Sequence, residues 1–123
     1  MNKIIILNGP NLNLLGEREK KQYGSITLKE LEKSCNEYAN QNNIKLTFFQ
    51  SNIEGELVNE IQTSRNNQQG LIINAGGYTH TSVSIGDAIA AISPAVIEVH
   101  ISDVYAREDF RLESFMAKRC NCL

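Results

Sequence analysis

The order of apolar and amphipathic segments predicts an α/β protein built around a parallel β-sheet. Short runs rich in Ile, Val and Leu alternate along the chain with segments in which apolar residues recur at helical spacing. Strands that are apolar at nearly every position are typical of parallel sheets with helices on both faces. The chain has 123 residues, the usual length of one domain, so residues 1–123 are predicted to form a single domain.

The first fifty residues supply two strands and one helix. Residues 3–7 are almost all Ile and Leu and form the first predicted strand. Thr27 and Glu30 make a capping box before an apolar stripe, which predicts a helix over 27–39. An Asn-rich stretch ends this helix, and residues 44–50 form the second predicted strand.

The next fifty residues continue the alternation. An apolar stripe predicts a second helix over 54–65, and the apolar run at 70–74 predicts the third strand. A third helix is predicted over 79–92, closed by Pro94, and a fourth strand over 95–102. Because crossovers between parallel strands are right-handed, this order gives a doubly wound, flavodoxin-like sheet.

Three loops of unusual composition follow the first, third and fourth predicted strands. They are residues 8–24, 74–82 and 100–111. The first is far longer than the roughly two to six residues that such a junction needs. In doubly wound sheets, ligands bind outside the carboxyl ends of the strands, so we expect the three loops to form one site.

Arg18 and Tyr23 in the first loop are candidates for proton transfer. A free tyrosine has a pKa near 10, and a base active near neutral pH needs that pKa lowered by about 2 to 3 units. A guanidinium within about 4 to 6 Å is a plausible cause of such a shift. A surface arginine and a half-buried tyrosine also fit the spacing, so both interpretations stay open.

His80 lies in the second of these loops, at the predicted start of the third helix. The positive potential of a helix N-terminus suits an anionic ligand and disfavours a charged imidazole. His80 is therefore predicted to be a neutral hydrogen-bonding group. The alternative is that Thr79 or Thr81 simply caps the helix.

Glu98 and His100 share one face of the fourth predicted strand, because side chains alternate along a strand. A carboxylate in a buried strand needs a partner, so Glu98 is predicted to pair with His100. The pairing would favour the charged imidazole and make His100 a competent general acid. A purely structural ion pair is the alternative.

Composition argues against several other functions. The formal net charge of −2 gives no electrostatic case for nucleic acid or an acidic membrane surface, and no apolar run reaches the roughly 18 residues of a spanning helix. No glycine-rich phosphate loop follows a strand, so a flavin or nucleotide carrier has little support. The three cysteines are Cys35, Cys120 and Cys122. They lack the spacing of a disulfide framework, which indicates a reduced, cytoplasmic protein. No second ligand pair is present to complete a metal site with them.

Four long segments resemble the type II 3-dehydroquinate dehydratases, or type II dehydroquinases. The segments are LNGPNLNLLGERE with a later YG, FFQSNIEGELVNEI, GLIINAGGYTHTSVSIGDAI and VIEVHISDVYAREDFR. They follow the family's order and cover residues 1 to about 114. The resemblance implies a flavodoxin-like fold and dehydration of 3-dehydroquinate to 3-dehydroshikimate in the shikimate pathway. It also implies an anti elimination through an enolate, without a metal or organic cofactor.

The resemblance implies catalytic roles for matching positions. Tyr23 is similar to the base that takes the proton alpha to the ketone, and Arg18 to the group that lowers the pKa of that base. His100 resembles the acid that protonates the departing hydroxyl, oriented by Glu98. Asn11 is similar to the residue that holds a water against the enolate oxygen. The long first loop then resembles a lid that carries the base and excludes water.

Other positions match substrate-binding groups of the family. These are Asn74, His80, Arg111 and the backbone amides of Ile101 and Ser102. Asp87 matches a residue that reaches a neighbouring subunit's site, and Arg107 lies in the motif that orders the lid. Family members assemble as trimers grouped into dodecamers, so a homo-oligomer is expected, with no nucleic acid or membrane partner.

Three departures from the family pattern carry expectations. Lys20 stands where the family usually has proline, which should make the lid loop less rigid. Asp103 stands where the family usually has asparagine and should add a negative charge close to the site of an anionic substrate. After Ser114 the family continues into a fifth strand and a last helix, whereas this chain ends in FMAKRCNCL. That last strand and helix are expected to be missing or replaced, with a tail that is truncated, frameshifted or packed in another way. The fourth strand would then be an exposed edge.

The resemblance favours an enzyme, because every matching chemical position is present. The alternative is a noncatalytic truncated paralogue that acts as a binding or scaffold protein. Solution behaviour separates the two hypotheses, since a large assembly with a sharp thermal transition favours the enzyme.

Overall fold

A computed structural model describes residues 2–17, 25–101, 108–117 and 119–120. Within those residues, the strands form one parallel sheet in the order β2-β1-β3-β4. The strands are β1 (Asn2–Asn8), β2 (Ile44–Gln50), β3 (Gly70–Asn74) and β4 (Ala95–Glu98). The helices are α1 (Leu28–Gln41), α2 (Glu54–Ser64) and α3 (Val83–Ala90), with 3₁₀ turns at Leu12–Leu14, Gly76–His80 and Asp109–Leu112. The strand order is that of a flavodoxin-like, doubly wound sheet, as predicted.

The strand predictions are confirmed, except at the end of β4. The bounds of β2 and β3 equal the predicted ones, and β1 is one residue longer at each end. β4 ends at Glu98 because its register with β3 ends there, where Ile73 pairs with Glu98. The predicted strand over 95–102 is therefore too long, and His100 lies beyond the strand.

The predicted start of the third helix is wrong. Residues Gly76–His80 form a 3₁₀ turn, and α3 begins at Val83 with Ser82 Oγ accepting from Ile85 N at 2.9 Å. The Thr79 carbonyl accepts from the backbone N–H of Phe115 at 3.0 Å, which replaces the bond an earlier helix start would make. His80 thus does not lie at a helix N-terminus, and the cap is Ser82 rather than either threonine.

The other two helices begin close to their predicted positions. Thr27 Oγ1 accepts from the backbone N–H of Glu30 at 3.1 Å, which is one half of the predicted capping box. α2 begins at Glu54, as predicted, and ends one residue early. None of the helices in the described residues is both long and apolar enough to cross a membrane.

The two faces of the sheet are packed to different extents. The core lies between the sheet and α2 and α3, where Leu7, Ile61 and Ile85 are fully buried. On the opposite face, α1 leaves an apolar groove of about 540 Å³ beside the sheet. Ile97 of β4 lines this groove and is 40% exposed, so helices cover the second face only in part.

The described part of the tail packs against α3. Met116 is fully buried in the core, and Cys120 packs against the same cluster. A Cβ on Gly86 would lie 2.4 Å from the Phe115 carbonyl oxygen, so only glycine lets the tail approach α3 this closely. The tail was expected to be truncated, frameshifted or packed in another way, and these contacts favour a tail that packs against the core.

Candidate active site

The loops after β1 and β3 are joined directly at the carboxyl edge of the sheet. The backbone N–H of Gly9 donates to the Asn74 carbonyl at 2.8 Å. A Cβ on Gly9 would lie 2.4 Å from the Ala75 carbonyl oxygen, which explains the glycine. These contacts support the expectation that the loops share one site.

Asn11 has a left-handed backbone, with φ 69°, at the start of the 3₁₀ turn Leu12–Leu14. Its backbone N–H donates to Asn52 Oδ1 at 3.0 Å, and the residue is exposed. Leu12 in the turn and Leu15 directly after it are 5% and 3% exposed. The buried leucines anchor the turn, and Asn11 remains at the surface of the edge.

Asn74 is the last residue of β3 and is 7% exposed. Its Oδ1 accepts from the backbone N–H of Gly76 at 3.2 Å. This bond closes the turn that leads to His80, because Gly76 has φ +60° and the chain bends there. Asn74 therefore has a structural task at the edge in addition to its predicted contact with substrate.

His80 is held by the segment near the end of the described chain. Its Nδ1 lies 2.6 Å from the Glu113 carbonyl oxygen, and its ring meets Phe110 edge to face with centroids 6.3 Å apart. A carbonyl oxygen can only accept, so Nδ1 carries the hydrogen of this contact. Nε2 is then the ring nitrogen left for a ligand.

Glu98 and His100 form the predicted pair. Glu98 is 0% exposed, and its Oε1 lies 2.8 Å from His100 Nε2. The His100 side chain is 15% exposed, so the imidazole reaches from the core to the edge of the sheet. Glu98 Oε2 has no hydrogen-bond partner among the described residues, which leaves His100 as the contact that offsets the burial of this carboxylate.

Cys120 adds a thiol near this pair. Burial raises the pKa of Cys120 to about 11, and the Glu98 carboxylate adds to the increase. The thiol is therefore neutral at physiological pH. It adds no charge beside Glu98.

The remaining described site residues lie at or near the surface. Arg111 Nε donates to Glu108 Oε2 at 2.6 Å, and the guanidinium lies 4.9 Å from the centroid of the Phe110 ring. Ile101 is 43% exposed. The Asp87 side chain is 67% exposed on α3, with Oδ1 3.9 Å from Arg119 Nη2.

Several predicted positions lie outside the described residues. They are Arg18, Tyr23 and Ser102, together with Lys20, Asp103 and Arg107. The roles assigned to them stay predictions.

The segment 50–52, at the end of β2, was not predicted to belong to the site. Gln50 Nε2 donates to the Gly9 carbonyl at 3.1 Å, and Asn52 contacts both Asn11 and Tyr78. The available signal was position, because this segment follows a strand at the same carboxyl edge as the other three loops.

The comparisons with known proteins agree with this architecture. The model of the family described as Dehydroquinase class II matches residues 2–123. A 3-dehydroquinate dehydratase from a Nitratiruptor species is 50% identical over 118 residues, which cover 96% of this chain and 76% of that protein. A 3-dehydroquinate dehydratase from Campylobacter jejuni subsp. jejuni is 53% identical over 119 residues, which cover 97% of this chain and 75% of that protein.

Solved structures give the same result. The type II dehydroquinase from Butyrivibrio crossotus DSM 2876 superposes with a TM-score of 0.97 at 46% identity, covering 98% of this chain and 85% of that one. The type II dehydroquinase from Propionibacterium acnes gives 0.95 at 31% identity, covering 99% and 84%. By sequence and by fold, the chain belongs to the class II dehydroquinase family.

Proposed function

We propose that this protein is a type II 3-dehydroquinate dehydratase, which removes water from 3-dehydroquinate to give 3-dehydroshikimate in the shikimate pathway. Family membership over residues 2–123 supports the reaction, and relatives at 50% and 53% identity carry the name of that activity. The structural observation that carries the proposal is the Glu98–His100 pair. It supplies a proton donor, held by a buried carboxylate, at the edge where ligands of such sheets bind.

The reaction needs a base and an acid acting at different atoms of one small ring. We assign Tyr23 as the base that takes the proton from the carbon next to the ketone, with the Arg18 guanidinium favouring the phenolate. The C–H electron pair moves into an enolate, whose oxygen is stabilised by a water that Asn11 holds. As the C–O bond breaks, the hydroxyl takes a proton from His100 and leaves as water.

The contact with Glu98 indicates which nitrogen of His100 gives that proton. A carboxylate oxygen can only accept, so Nε2 keeps its hydrogen in the 2.8 Å contact with Oε1. The transferred proton therefore comes from Nδ1 of the imidazolium, and His100 ends the step neutral. At the end of this step Tyr23 is protonated, and transfer of a proton from its phenol to the His100 imidazole restores both groups.

Substrate binding is assigned to groups at or after the ends of β3 and β4. They are Asn74, His80, Arg111 and the backbone amides of Ile101 and Ser102. The substrate is an anion, so a guanidinium and backbone N–H donors are suitable partners for its carboxylate. The 2.6 Å bond from Arg111 to Glu108 restrains the guanidinium before substrate arrives.

The proposed assembly is a dodecamer built from trimers, in which Asp87 reaches a neighbouring subunit's site. Its side chain is 67% exposed on α3, as that role requires. The proposed location is the cytoplasm, in keeping with cysteines that lack a disulfide framework. Light scattering on the purified protein tests the assembly, and a monodisperse monomer would contradict it.

The activity is tested by following enone formation from 3-dehydroquinate by ultraviolet absorbance. The unmodified protein should turn over, and Tyr23→Phe should lose nearly all of kcat while the Kd for substrate changes little, because the hydroxyl acts mainly in the transition state. A folded, oligomeric sample without turnover would overturn the activity and favour the noncatalytic alternative. Equal losses of binding and rate in Tyr23→Phe would overturn its assignment as the base.

A further inference from the structure

The segment 50–52, which comprises the last residue of β2 and the two residues after it, contacts two of the loops at the site. Asn52 Oδ1 accepts from the backbone N–H of Asn11 at 3.0 Å. The Tyr78 hydroxyl donates to the backbone carbonyl of Asn52 at 2.9 Å. Asn52 therefore joins the start of the first loop to the 3₁₀ turn that carries His80.

The backbone of Asn11 depends on contacts of this kind. Its φ of 69° is in the left-handed region, which residues with a side chain adopt far less often than glycine, although asparagine is among those that adopt it most readily. The N–H that Asn52 accepts belongs to Asn11 itself. The bond therefore acts directly on the residue whose backbone takes this uncommon conformation.

Asn52 is itself fixed by a second donor. Gln50 Nε2 donates to Asn52 Oδ1 at 3.2 Å and to the Gly9 carbonyl at 3.1 Å. Two donors occupy both lone pairs of the Oδ1 atom, which sets the orientation of the side-chain amide. Gln50 belongs to β2, so the arrangement is anchored in the sheet.

We propose that Asn52 is a positioning residue for the dehydration, holding Asn11 where it can act on the developing enolate oxygen. This role depends on the proposed function, and in particular on the assignment of Asn11. Asn52 contacts the backbone of Asn11 through its side chain and contacts Tyr78 through its backbone carbonyl. A substitution of Asn52 can therefore remove the first contact and leave the second in place. The side chain serves the transition state, and the contact with Tyr78 serves the substrate-binding turn.

The test compares kcat and KM in three variants. Asn52→Ala removes the acceptor and should lower kcat by about tenfold to a hundredfold, the cost of misplacing a group near the reacting atoms, with little change in KM. Asn52→Asp keeps an acceptor at the same position and should recover most of the lost kcat. Asn66→Ala, at an exposed position in the turn after α2, is the control and should match the unmodified protein.

Hydrogen–deuterium exchange of the peptide containing Asn11 gives a readout that does not depend on activity. The Asn11 amide should exchange faster in Asn52→Ala than in Asn52→Asp, because only aspartate keeps the acceptor. Unchanged kcat in Asn52→Ala would overturn the proposal. A loss of kcat that Asn52→Asp does not recover, and that is accompanied by a lower Tm, would also overturn it, because such a loss reflects destabilisation of the fold. Inactivity of the unmodified protein would overturn the proposed function, and this role with it.

Discussion

His80 and His100 follow neighbouring strands at the same edge of the sheet, but they hold different partners. His80 Nδ1 donates to the Glu113 carbonyl, a neutral dipole, whereas His100 Nε2 contacts the carboxylate of Glu98, which is 0% exposed. Both acceptors fix the orientation of an imidazole, but only the carboxylate is a charged acceptor, and charge-assisted hydrogen bonds are the stronger ones. This difference in partner, rather than in residue type, is what supports the proposed assignment of His80 to binding and His100 to proton transfer.

Replacing His100 should break this division most severely. His100→Ala is expected to lower kcat by about 10²- to 10⁴-fold, the usual contribution of a general acid, with a much smaller change in KM. Initial rates from the enone absorbance measure both constants. His80→Ala is the matched control, because it removes an imidazole from the same edge. Similar losses of kcat in the two variants would contradict the division of roles.

Replacing Glu98 should weaken His100 without removing it. Glu98→Gln keeps the shape of the side chain but replaces the charged acceptor that orients His100 Nε2, so kcat is expected to fall by about a hundredfold. Tm should be unchanged or higher, because a neutral amide is cheaper to bury than a carboxylate with an unpartnered oxygen. Glu37→Gln, at an exposed position of α1, is the control. An unchanged kcat in Glu98→Gln would make the pair purely structural.

Replacing His80 should affect binding more than rate. His80→Ala is expected to raise KM by about tenfold, as the loss of one or two polar contacts does, with kcat nearly unchanged. His80→Asn keeps a side-chain N–H that can reach the Glu113 carbonyl, so its KM should lie between those of His80→Ala and the unmodified protein. A fall in kcat without a rise in KM would assign His80 to the chemical step instead.

Replacing Cys120, which lies on the Glu98 side of the site, should have the smallest effect. Its folded pKa of about 11 is above the ordinary thiol value of 9.0, so the unfolded chain loses this proton first as the pH rises. Its stabilising contribution is then complete below pH 9 and lost between pH 9 and about 11. Because Cys120 is only partly buried, solvent screening reduces the effect to about 1 kcal/mol.

Denaturant unfolding of the unmodified protein and of Cys120→Ala measures this contribution. The difference in unfolding free energy between the two should shrink as the pH rises from 9 to about 11, since alanine does not titrate. A difference in unfolding free energy that stays constant over that interval would show that burial does not raise the pKa of the Cys120 thiol.

The strands were predictable because their patterns are local. β2 and β3 have their predicted bounds, and α1 begins after Thr27, whose side chain bonds to Glu30 within one helical turn. The start of α3 was not predictable, because the Thr79 carbonyl bonds to Phe115, a residue far along the chain. The length of β4 depended in the same way on where its partner β3 ends.

The site was predictable to a similar extent. The Glu98–His100 pair follows from the alternation of side chains along a strand and its continuation. Asn52 was missed, because its bonds to Asn11 and Tyr78 cross between segments and leave no periodic trace. Arg18 and Tyr23 were assigned by resemblance, and the Tyr23→Phe variant tests the role of Tyr23.

The alternation of strands and helices, and through it which loops share an edge, can be read from the sequence alone, because each segment carries the period of its own apolar side chains. In contrast, long-range contacts of the folded chain fix which carbonyl holds His80, where α3 begins and which side chain holds Asn11. Each of those hydrogen bonds joins residues that the packed core brings together. No local sequence pattern records these long-range hydrogen bonds.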